Sequence, residues 1–361
     1  MSSELQERVA QALQSQGNLP GARSLQERVL KTRRRLLGED DPQTLSAMDN
    51  LAGILQLQGH FSDAHSLQER VLEAKQRVLG DRHPATLAAM NNFARTLQWE
   101  GDLPRARAIQ EQVLETMRHV LGDEHPKTLT AMNNLAGILQ YQGSDSSNAR
   151  SLLERVLDAR RRVLGEEHPE TLVTMNGLAR MLKIEGNLAG ARALHERVLE
   201  ARRRFLGEEH LDTLTVMNDL AQTMQAQGDL VDARSLQERV LEARRRLLGE
   251  EHMETLTAMN NLTVTLVSDG DLDSARSFQE QALETMRRVI GEKHPNTLTA
   301  MTNLGRILWD LGDQREALAL MRAASKGLAK VLGPEHGHTQ SAMEEMSGMN
   351  DALAKNQSPE L

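Results

Sequence analysis

The chain has 361 residues, a formal net charge of −8, no cysteine and only 2% aromatic residues. The absence of cysteine excludes disulfides, thiolate metal ligands and cysteine nucleophiles, and it favours a reducing, cytoplasmic location. The net negative charge disfavours nucleic acid as a partner, and no segment holds the roughly 18 to 20 consecutive apolar residues that a membrane span requires.

A fixed glycine spacing divides the chain into units. Successive glycines of one series are 42 residues apart, as Gly38 and Gly80 are, except that Gly122 and Gly165 are 43 apart because the segment 143–149 holds one extra residue. A period of this length is typical of a helical repeat protein. The series consists of Gly38, Gly80, Gly122, Gly165, Gly207, Gly249, Gly291 and Gly333.

Each unit predicts a first helix, called helix A here, followed by a turn. In the third unit the apolar residues step by three or four positions, which indicates one buried stripe on a helix. Gly101 follows this stripe, and glycine favours the left-handed conformation that ends a helix. The stripe of this helix A is Leu87, Met90, Phe93, Ala94 and Leu97.

A second amphipathic stripe follows the turn and predicts a helix B. Its residues also step by three or four positions and reach the Leu-Gly pair that ends the unit. The predicted stripe in the third unit is Ala106, Ile109, Val113, Thr116 and Val120.

The junction between units carries a recurring His-Pro pair at the start of the next helix A. Pro126 is an example, and proline suits a first helical position because its missing N–H would have no partner there. Seven of the twelve histidines precede this position in successive units, which predicts a capping or packing role in preference to metal binding or acid–base chemistry. They are His83, His125, His168, His210, His252, His294 and His336.

One helix pair has too little apolar surface to be stable alone, so each pair must pack against the next one. We therefore expect a single array over residues 1–361. It begins with a degenerate unit at 3–38, continues with seven units at 39–333, and ends with a capping helix and tail at 334–361, the helix itself covering about 339–354.

The pattern M-N-N-L-A-x-x-L-x-x-x-G followed by A-R-x-L-x-E-x-V-L, seen at 132–143 and 149–157, resembles the tetratricopeptide repeat. The additional LGxxHPxTL segment is similar to the 42-residue version of kinesin light chains. The resemblance covers residues 3 to about 354 and implies an all-α, right-handed superhelical solenoid of antiparallel helix pairs. It also implies that the A helices line a concave groove that holds a peptide segment of a partner.

Counted from the first apolar residue of each helix A (Leu87 is position 1 in the third unit), positions 2, 5, 9 and 12 would then face the groove. Position 5 carries an amide in most units, and a row of amides can pair with the backbone of an extended peptide. The alternative is that these amides hold neighbouring helices together. The candidate ligand amides are Asn91, Asn133, Asn176, Asn218 and Asn260.

Positions 9 and 12 add cations, which favour an acidic ligand because arginine binds carboxylates with paired hydrogen bonds. The candidates are Arg95, Arg180, Lys183 and Arg306. Trp99, Tyr141, Ile184 and Trp309 lie nearby in the predicted register, either as apolar pockets or as packing along the rim.

Arginine clusters at 33–35, 161–162, 202–204 and 244–246 are interpreted as solvent-exposed charges at the ends of the B helices. No nucleophile, phosphate loop or metal motif stands outside the repeat pattern. The sequence therefore predicts a non-enzymatic protein without a cofactor or metal, which binds an extended or helical peptide. Two alternatives remain open, namely association with a second copy of the chain and a sensor module of a larger signalling system.

Overall fold

The computed structural model describes residues 3–142, 146–334 and 336–357, and these ranges contain helices and no strand. The insertion predicted between Gly143 and Ala149 lies partly outside them. The helices are α1 (Ser3–Ser15), α2 (Leu19–Leu37), α3 (Pro42–Leu57), α4 (Phe61–Leu79), α5 (Pro84–Glu100), α6 (Leu103–Leu121), α7 (Pro126–Gln142), α8 (Ser146–Leu164), α9 (Pro169–Ile184), α10 (Leu188–Leu206), α11 (Leu211–Gln227), α12 (Leu230–Leu248), α13 (Met253–Asp269), α14 (Leu272–Val289), α15 (Pro295–Asp310), α16 (Gln314–Val331) and α17 (Gly337–Gln357).

Odd-numbered helices are the A helices and even-numbered helices are the B helices. Each helix packs against the helices before and after it in the chain. Adjacent A helices from α7 to α15 also contact one another, so the A helices lie closer together than the B helices and form the concave side. The prediction of an all-α superhelical stack is confirmed.

The predicted core of helix A is confirmed in α5, where Leu87, Met90, Phe93, Ala94 and Leu97 are all buried. The prediction for helix B is only partly correct. In α6, Ala106 and Val113 are fully buried, but Val120 is 54% exposed. Gln110, Leu114 and Met117 are buried in α6 as well.

The recurring histidines cap the A helices, as predicted. In α9, the Nδ1 atom of His168 accepts a hydrogen bond from the backbone N–H of Glu170 at 3.2 Å. This bond satisfies one of the N–H groups that a helix start leaves without a partner. The same bond forms in every unit that has the histidine, at His83, His125, His168, His210, His252, His294 and His336.

The first arginine of several clusters is buried, which corrects the prediction that these charges face solvent. Arg244 is 4% exposed and donates to the backbone carbonyl of Glu254 at 3.0 Å. It thereby ties α12 to the first turn of α13. Arg33 and Arg202 are also buried, and so is Arg160 beside the predicted pair at 161–162. Burial lowers the pKa of Arg244 and of Arg160, and the carboxylate of the next helix opposes this effect in both.

Successive turns of the superhelix touch each other. The His294 side chain at the start of α15 is 7% exposed, and its Nε2 atom lies 3.2 Å from the backbone oxygen of Leu57 at the end of α3. These two residues are 237 positions apart in the chain. A β-carbon at Gly59 would lie 2.7 Å from Cδ2 of His294.

The same contact recurs one unit earlier and one unit later. A β-carbon at Gly17 would lie 3.3 Å from Cδ2 of His252, and a β-carbon at Gly101 would lie 2.7 Å from Cδ2 of His336. We call these three contacts the seam. The seam joins each of the first three units to the element six repeat lengths further along the array, so one turn of the superhelix holds about six units.

Candidate functional site

The predicted amide row lies on the A helices, and two of its members bind the next helix. Asn176 is 8% exposed, and its Nδ2 atom donates to the Asp219 carboxylate on α11 at 2.7 Å. Asn218 is 7% exposed and accepts from Nδ2 of Asn261 on α13 at 2.9 Å. Both amides hold adjacent A helices together, and little of either side chain reaches solvent.

The other three amides are half-buried. Asn91 donates to the backbone oxygen of Leu87 within α5 at 3.1 Å, and Asn260 accepts from Gln279 on α14 at 2.9 Å. Within the described ranges the Oδ1 atoms of Asn91 and Asn133 are buried without a hydrogen-bond partner. The row therefore serves local packing in most units.

Two predicted cations are free on the concave side. Arg95 on α5 and Arg180 on α9 are exposed, and neither forms an ion pair with any residue that the structure describes. Most other arginines pair with a carboxylate, as Arg150 does with Glu154 at 2.8 Å. An unpaired guanidinium in a net acidic chain is a ready partner for a ligand carboxylate.

The two remaining cations have partners within the chain. Lys183 donates from Nζ to Oε1 of Gln222 at 2.8 Å. Its pKa is lowered because the ammonium is buried, an effect that Asp219 opposes and Arg180 reinforces. Arg306 on α15 pairs with Glu345 on α17 at 3.0 Å, so the last helix already supplies it with a carboxylate.

A buried histidine outside the junction series lies near Lys183. His195 on α10 is fully buried, and its Nδ1 atom lies 3.1 Å from Oγ1 of Thr223. Burial lowers its pKa to about 4, and the charges of Lys183 and Arg180 act in the same direction while Asp219 opposes them. His195 is therefore neutral at pH 7 and belongs to the packing of α10 against α11.

Sequence reasoning missed the row to which His195 belongs. Buried glutamines occupy the same unit position in several B helices, and Gln110 illustrates their role by donating from Nε2 to the Ala131 oxygen on α7 at 3.2 Å. A polar residue recurring at one unit position inside an apolar stripe was the available signal. The row consists of Gln26, Gln68, Gln110, His195, Gln237 and Gln279.

Large apolar side chains end three consecutive A helices. Trp99 on α5 is 53% exposed, Tyr141 on α7 is 67% exposed, and Ile184 on α9 is 60% exposed. Trp309 lies separately, in a cavity of about 450 Å³ that Arg306, Glu345 and Met349 also line. The exposed row adjoins the free cations because Arg95 and Trp99, like Arg180 and Ile184, are four residues apart on one helix.

Across the residues that the structure describes, no group of three or more histidine, aspartate or glutamate side chains is arranged to hold a metal ion. None of the described helices combines the length and apolar character needed to cross a membrane.

Comparisons with known proteins agree with the repeat pattern. The profile of the tetratricopeptide repeat matches residues 2–77, 85–147, 144–204, 176–245, 220–288 and 264–330. None of the curated proteins compared with the chain matches it.

Similar solved structures include the nearly identical TPR-like repeats of a putative kinesin light chain from Podosopora anserina. They are 30% identical, with a TM-score of 0.46 over 57% of this chain and 97% of theirs. BtubC (BKLC) from P. vanneervenii is 22% identical, with a TM-score of 0.51 over 64% of this chain and 92% of its own. A Rap protein complexed with Competence and Sporulation Factor is 10% identical, with a TM-score of 0.58 over 98% of this chain and 99% of its own.

Proposed function

The chain belongs to the tetratricopeptide repeat family, and on that premise we propose that its concave face binds an acidic peptide segment of a partner protein without catalysing a reaction. The broad role, a scaffold for protein–protein interaction, follows from the family. We propose further that the ligand is a peptide, that it is acidic, and that it binds on the A helices.

The observation that carries the proposal is the pair of free guanidinium groups, Arg95 and Arg180. The other two predicted cations already have partners within the chain, Lys183 in Gln222 at 2.8 Å and Arg306 in Glu345 at 3.0 Å. A carboxylate on a ligand would complete the charge pairing that the chain leaves unfinished at these two positions.

The exposed side chains Trp99, Tyr141 and Ile184 support a ligand that is both acidic and apolar. Aromatic side chains contribute strongly to binding when a partner covers them. A peptide that alternates carboxylates with apolar residues would meet the cations and the apolar row together. The fold itself accommodates a bound partner, since the Rap protein of similar fold was solved in a complex.

The structure shifts the proposed contacts away from the amide row. Asn176 and Asn218 are occupied by bonds to α11 and α13, whereas Arg95 and Arg180 are exposed. We therefore assign recognition to the cations and the apolar row. Asn91 and Asn133 are the amides of the row that make no bond to another helix among the described residues.

The test is a charge reversal, Arg95→Glu with Arg180→Glu. The probes are fluorescein-labelled peptides selected from an array of random 15-residue peptides, each paired with a version in which glutamine replaces every glutamate. We expect enrichment of Asp and Glu among bound peptides, and a rise in Kd of about 10 to 100-fold for the acidic version in the reversed variant, equivalent to about 1.4 to 2.8 kcal/mol. Fluorescence anisotropy measures the Kd.

The matched control is Arg28→Glu with Arg155→Glu, which makes the same charge change at two exposed, equivalent positions on α2 and α8. Equal loss of affinity in both double variants would reduce the effect to net charge and contradict the proposal. So would binding of the glutamine peptides at the same Kd as the acidic ones.

A further inference from the structure

The superhelix has two edges, and each edge is partly covered and partly free. The turn edge carries the turns between helix A and helix B, such as the one at Gly59. The junction edge carries the His-Pro junctions between units, such as the one at His294. The seam is the place where the junction edge of the late units lies on the turn edge of the early units.

Covered junctions bury residues that free junctions expose. His294 and Pro295 are buried within the seam, whereas His83 and Pro84 at a free junction are exposed. The residue before the unit-ending glycine shows the same difference, because Leu332 is 8% exposed and Leu206 is 45% exposed.

The free junction edge thus presents an apolar strip over consecutive units, with side chains that are 40% to 68% exposed. The strip consists of Leu36, Leu37, Val78, Leu79, Val120, Leu121, Val163, Phe205 and Leu206.

The turn edge has a matching free stretch. Among the described turns, Gly17, Gly59 and Gly101 lie against histidines of the seam, whereas a β-carbon added at any of the later turns would meet no atom within 4 Å. The free turns are those at Gly186, Gly228, Gly270 and Gly312.

We propose that a second copy of this chain covers the free turn edge with its own free junction edge, so that copies stack head to tail and continue the seam from one molecule into the next. The contact is heterologous, since it joins two different edges, and a heterologous contact that does not close produces open chains of molecules. It lies at the edges of the coil and leaves the concave face available.

The chemistry of the seam can be repeated between copies. In each free junction the Nδ1 atom of the histidine accepts the capping N–H, as His125 accepts from Lys127 at 3.2 Å, which places the remaining proton on Nε2. In the seam, Nε2 of His294 donates to the oxygen of Leu57, one of the carbonyls that a helix end leaves without a partner. The corresponding carbonyls at the free turns belong to Ile184, Ala226, Ser268 and Asp310.

Several acids on each edge are paired within the chain, which reduces the repulsion between two edges that meet. On the junction edge, Glu124 pairs with Arg162 at 2.6 Å. On the turn edge, Asp229 pairs with Arg192 at 2.5 Å and Asp271 pairs with Arg234 at 3.2 Å. At these positions two edges that meet would bring together ion pairs.

The test uses two variants that each block one edge of the full chain. Ala226→Arg with Ser268→Arg blocks the turn edge, and Pro126→Arg with Pro169→Arg blocks the junction edge. All four positions are exposed, and leucine or methionine already replaces the proline at 211 and 253. Sedimentation velocity over a hundredfold range of concentration gives the mass distribution.

We expect the natural chain to shift with concentration towards two, three and more copies, and each blocked variant to sediment as a single copy. An equimolar mixture of the two blocked variants should form a species of two copies, because each contributes the edge that the other lacks. The control Gln112→Arg with Gln281→Arg adds the same charge on the exposed faces of α6 and α14 and should assemble like the natural chain.

Three results would overturn the proposal. The natural chain could remain a single copy throughout, both blocked variants could still assemble, or their mixture could contain no two-copy species. Circular dichroism of each variant, expected to match the natural chain, separates a blocked edge from a failure to fold.

Discussion

His294 and His210 begin two A helices with nearly the same local sequence, yet their surroundings differ. Both cap their helix through Nδ1, at 3.0 Å to the N–H of Asn296 and at 3.2 Å to the N–H of Asp212. His294 is only 7% exposed because the end of α3 packs against it, whereas His210 is exposed. One residue type at one unit position therefore has a local capping role everywhere and a long-range role only where the superhelix completes a turn.

The largest effect that separates the two environments should come from the turns opposite them. Gly59 has φ of +73° and lies against His294, while Gly228 has φ of +88° with no atom within 4 Å of an added β-carbon. Alanine at either position should lower the free energy of unfolding by about 1 to 2 kcal/mol, because it must adopt the left-handed conformation. In Gly59→Ala the overlap of the new methyl group with His294 should remove about 1 to 3 kcal/mol more. The total loss of stability is then about 2 to 5 kcal/mol. Urea unfolding followed by circular dichroism measures both.

Opening of the seam would relieve that overlap, so the excess cost of Gly59→Ala over Gly228→Ala cannot exceed the free energy of the seam. The excess is therefore a lower bound on the seam's stability. Equal costs in the two variants would contradict the expected overlap between the added methyl group and His294.

A pH change should distinguish the same two turns with an intermediate effect. Burial lowers the pKa of His294 to about 4 from its ordinary 6.5, the neighbouring His60 adds to the lowering, and the Leu57 carbonyl opposes it. The open seam then binds more protons than the closed seam between these two values. Its stability is complete above pH 6.5, falls as the pH decreases, and has dropped by about 2 kcal/mol at pH 5.

Hydrogen exchange read by mass spectrometry should show this loss at 57–61, after correction for the intrinsic exchange rate. The free turn at 226–230 serves as the internal control and should keep its protection over the same pH range. A parallel decrease at both turns would indicate general acid destabilisation, not opening of the seam.

The smallest effect should come from replacing the histidines themselves. Asparagine is a good N-cap, so His294→Asn and His210→Asn both retain the capping acceptor. His294→Asn also removes the Nε2 donor to Leu57, at a cost of about 1 kcal/mol. His210→Asn should change the free energy of unfolding by less than about 0.5 kcal/mol. Thermal unfolding of both variants at pH 7 gives the comparison, and a larger loss for His210→Asn would contradict it.

Local features of the fold could be predicted because each recurs in seven or eight units. The helix pairs, the core of helix A and the capping histidines all follow from spacing and side-chain chemistry within one unit. Even the last helix was placed closely, at about 339–354 against the observed Gly337–Gln357. The sequence resemblance to the tetratricopeptide repeat is confirmed.

The buried cations were missed because a cluster of arginines looks like a solvated surface. Arg202 nevertheless follows Val198 by four residues and so lies on the buried stripe of α10, where it pairs with Asp212 at 2.9 Å. Its neighbours Arg203 and Arg204 do face outward. The cluster had to be divided by helical position before its members could be assigned.

The seam could not be predicted from any single unit. It depends on the small rotation and rise between neighbouring units, which accumulate over six units before Leu57 meets His294. The same holds for the predicted ligand residues. Only the packing of adjacent A helices shows which amides are hydrogen-bonded to a neighbouring helix and which cations are unpaired. Which face a residue occupies is a local property, but its partners are not.

The tie between Leu57 and His294 changes how the coil should respond to force. An array in which each unit touches only its neighbours lengthens smoothly, like a spring with open windings. Here the seam joins the early units to the late ones. A force that pulls the two termini apart must therefore break the seam before the rest of the superhelix can extend. We expect one discrete rupture event, the opening of the seam, followed by smooth extension of the superhelix.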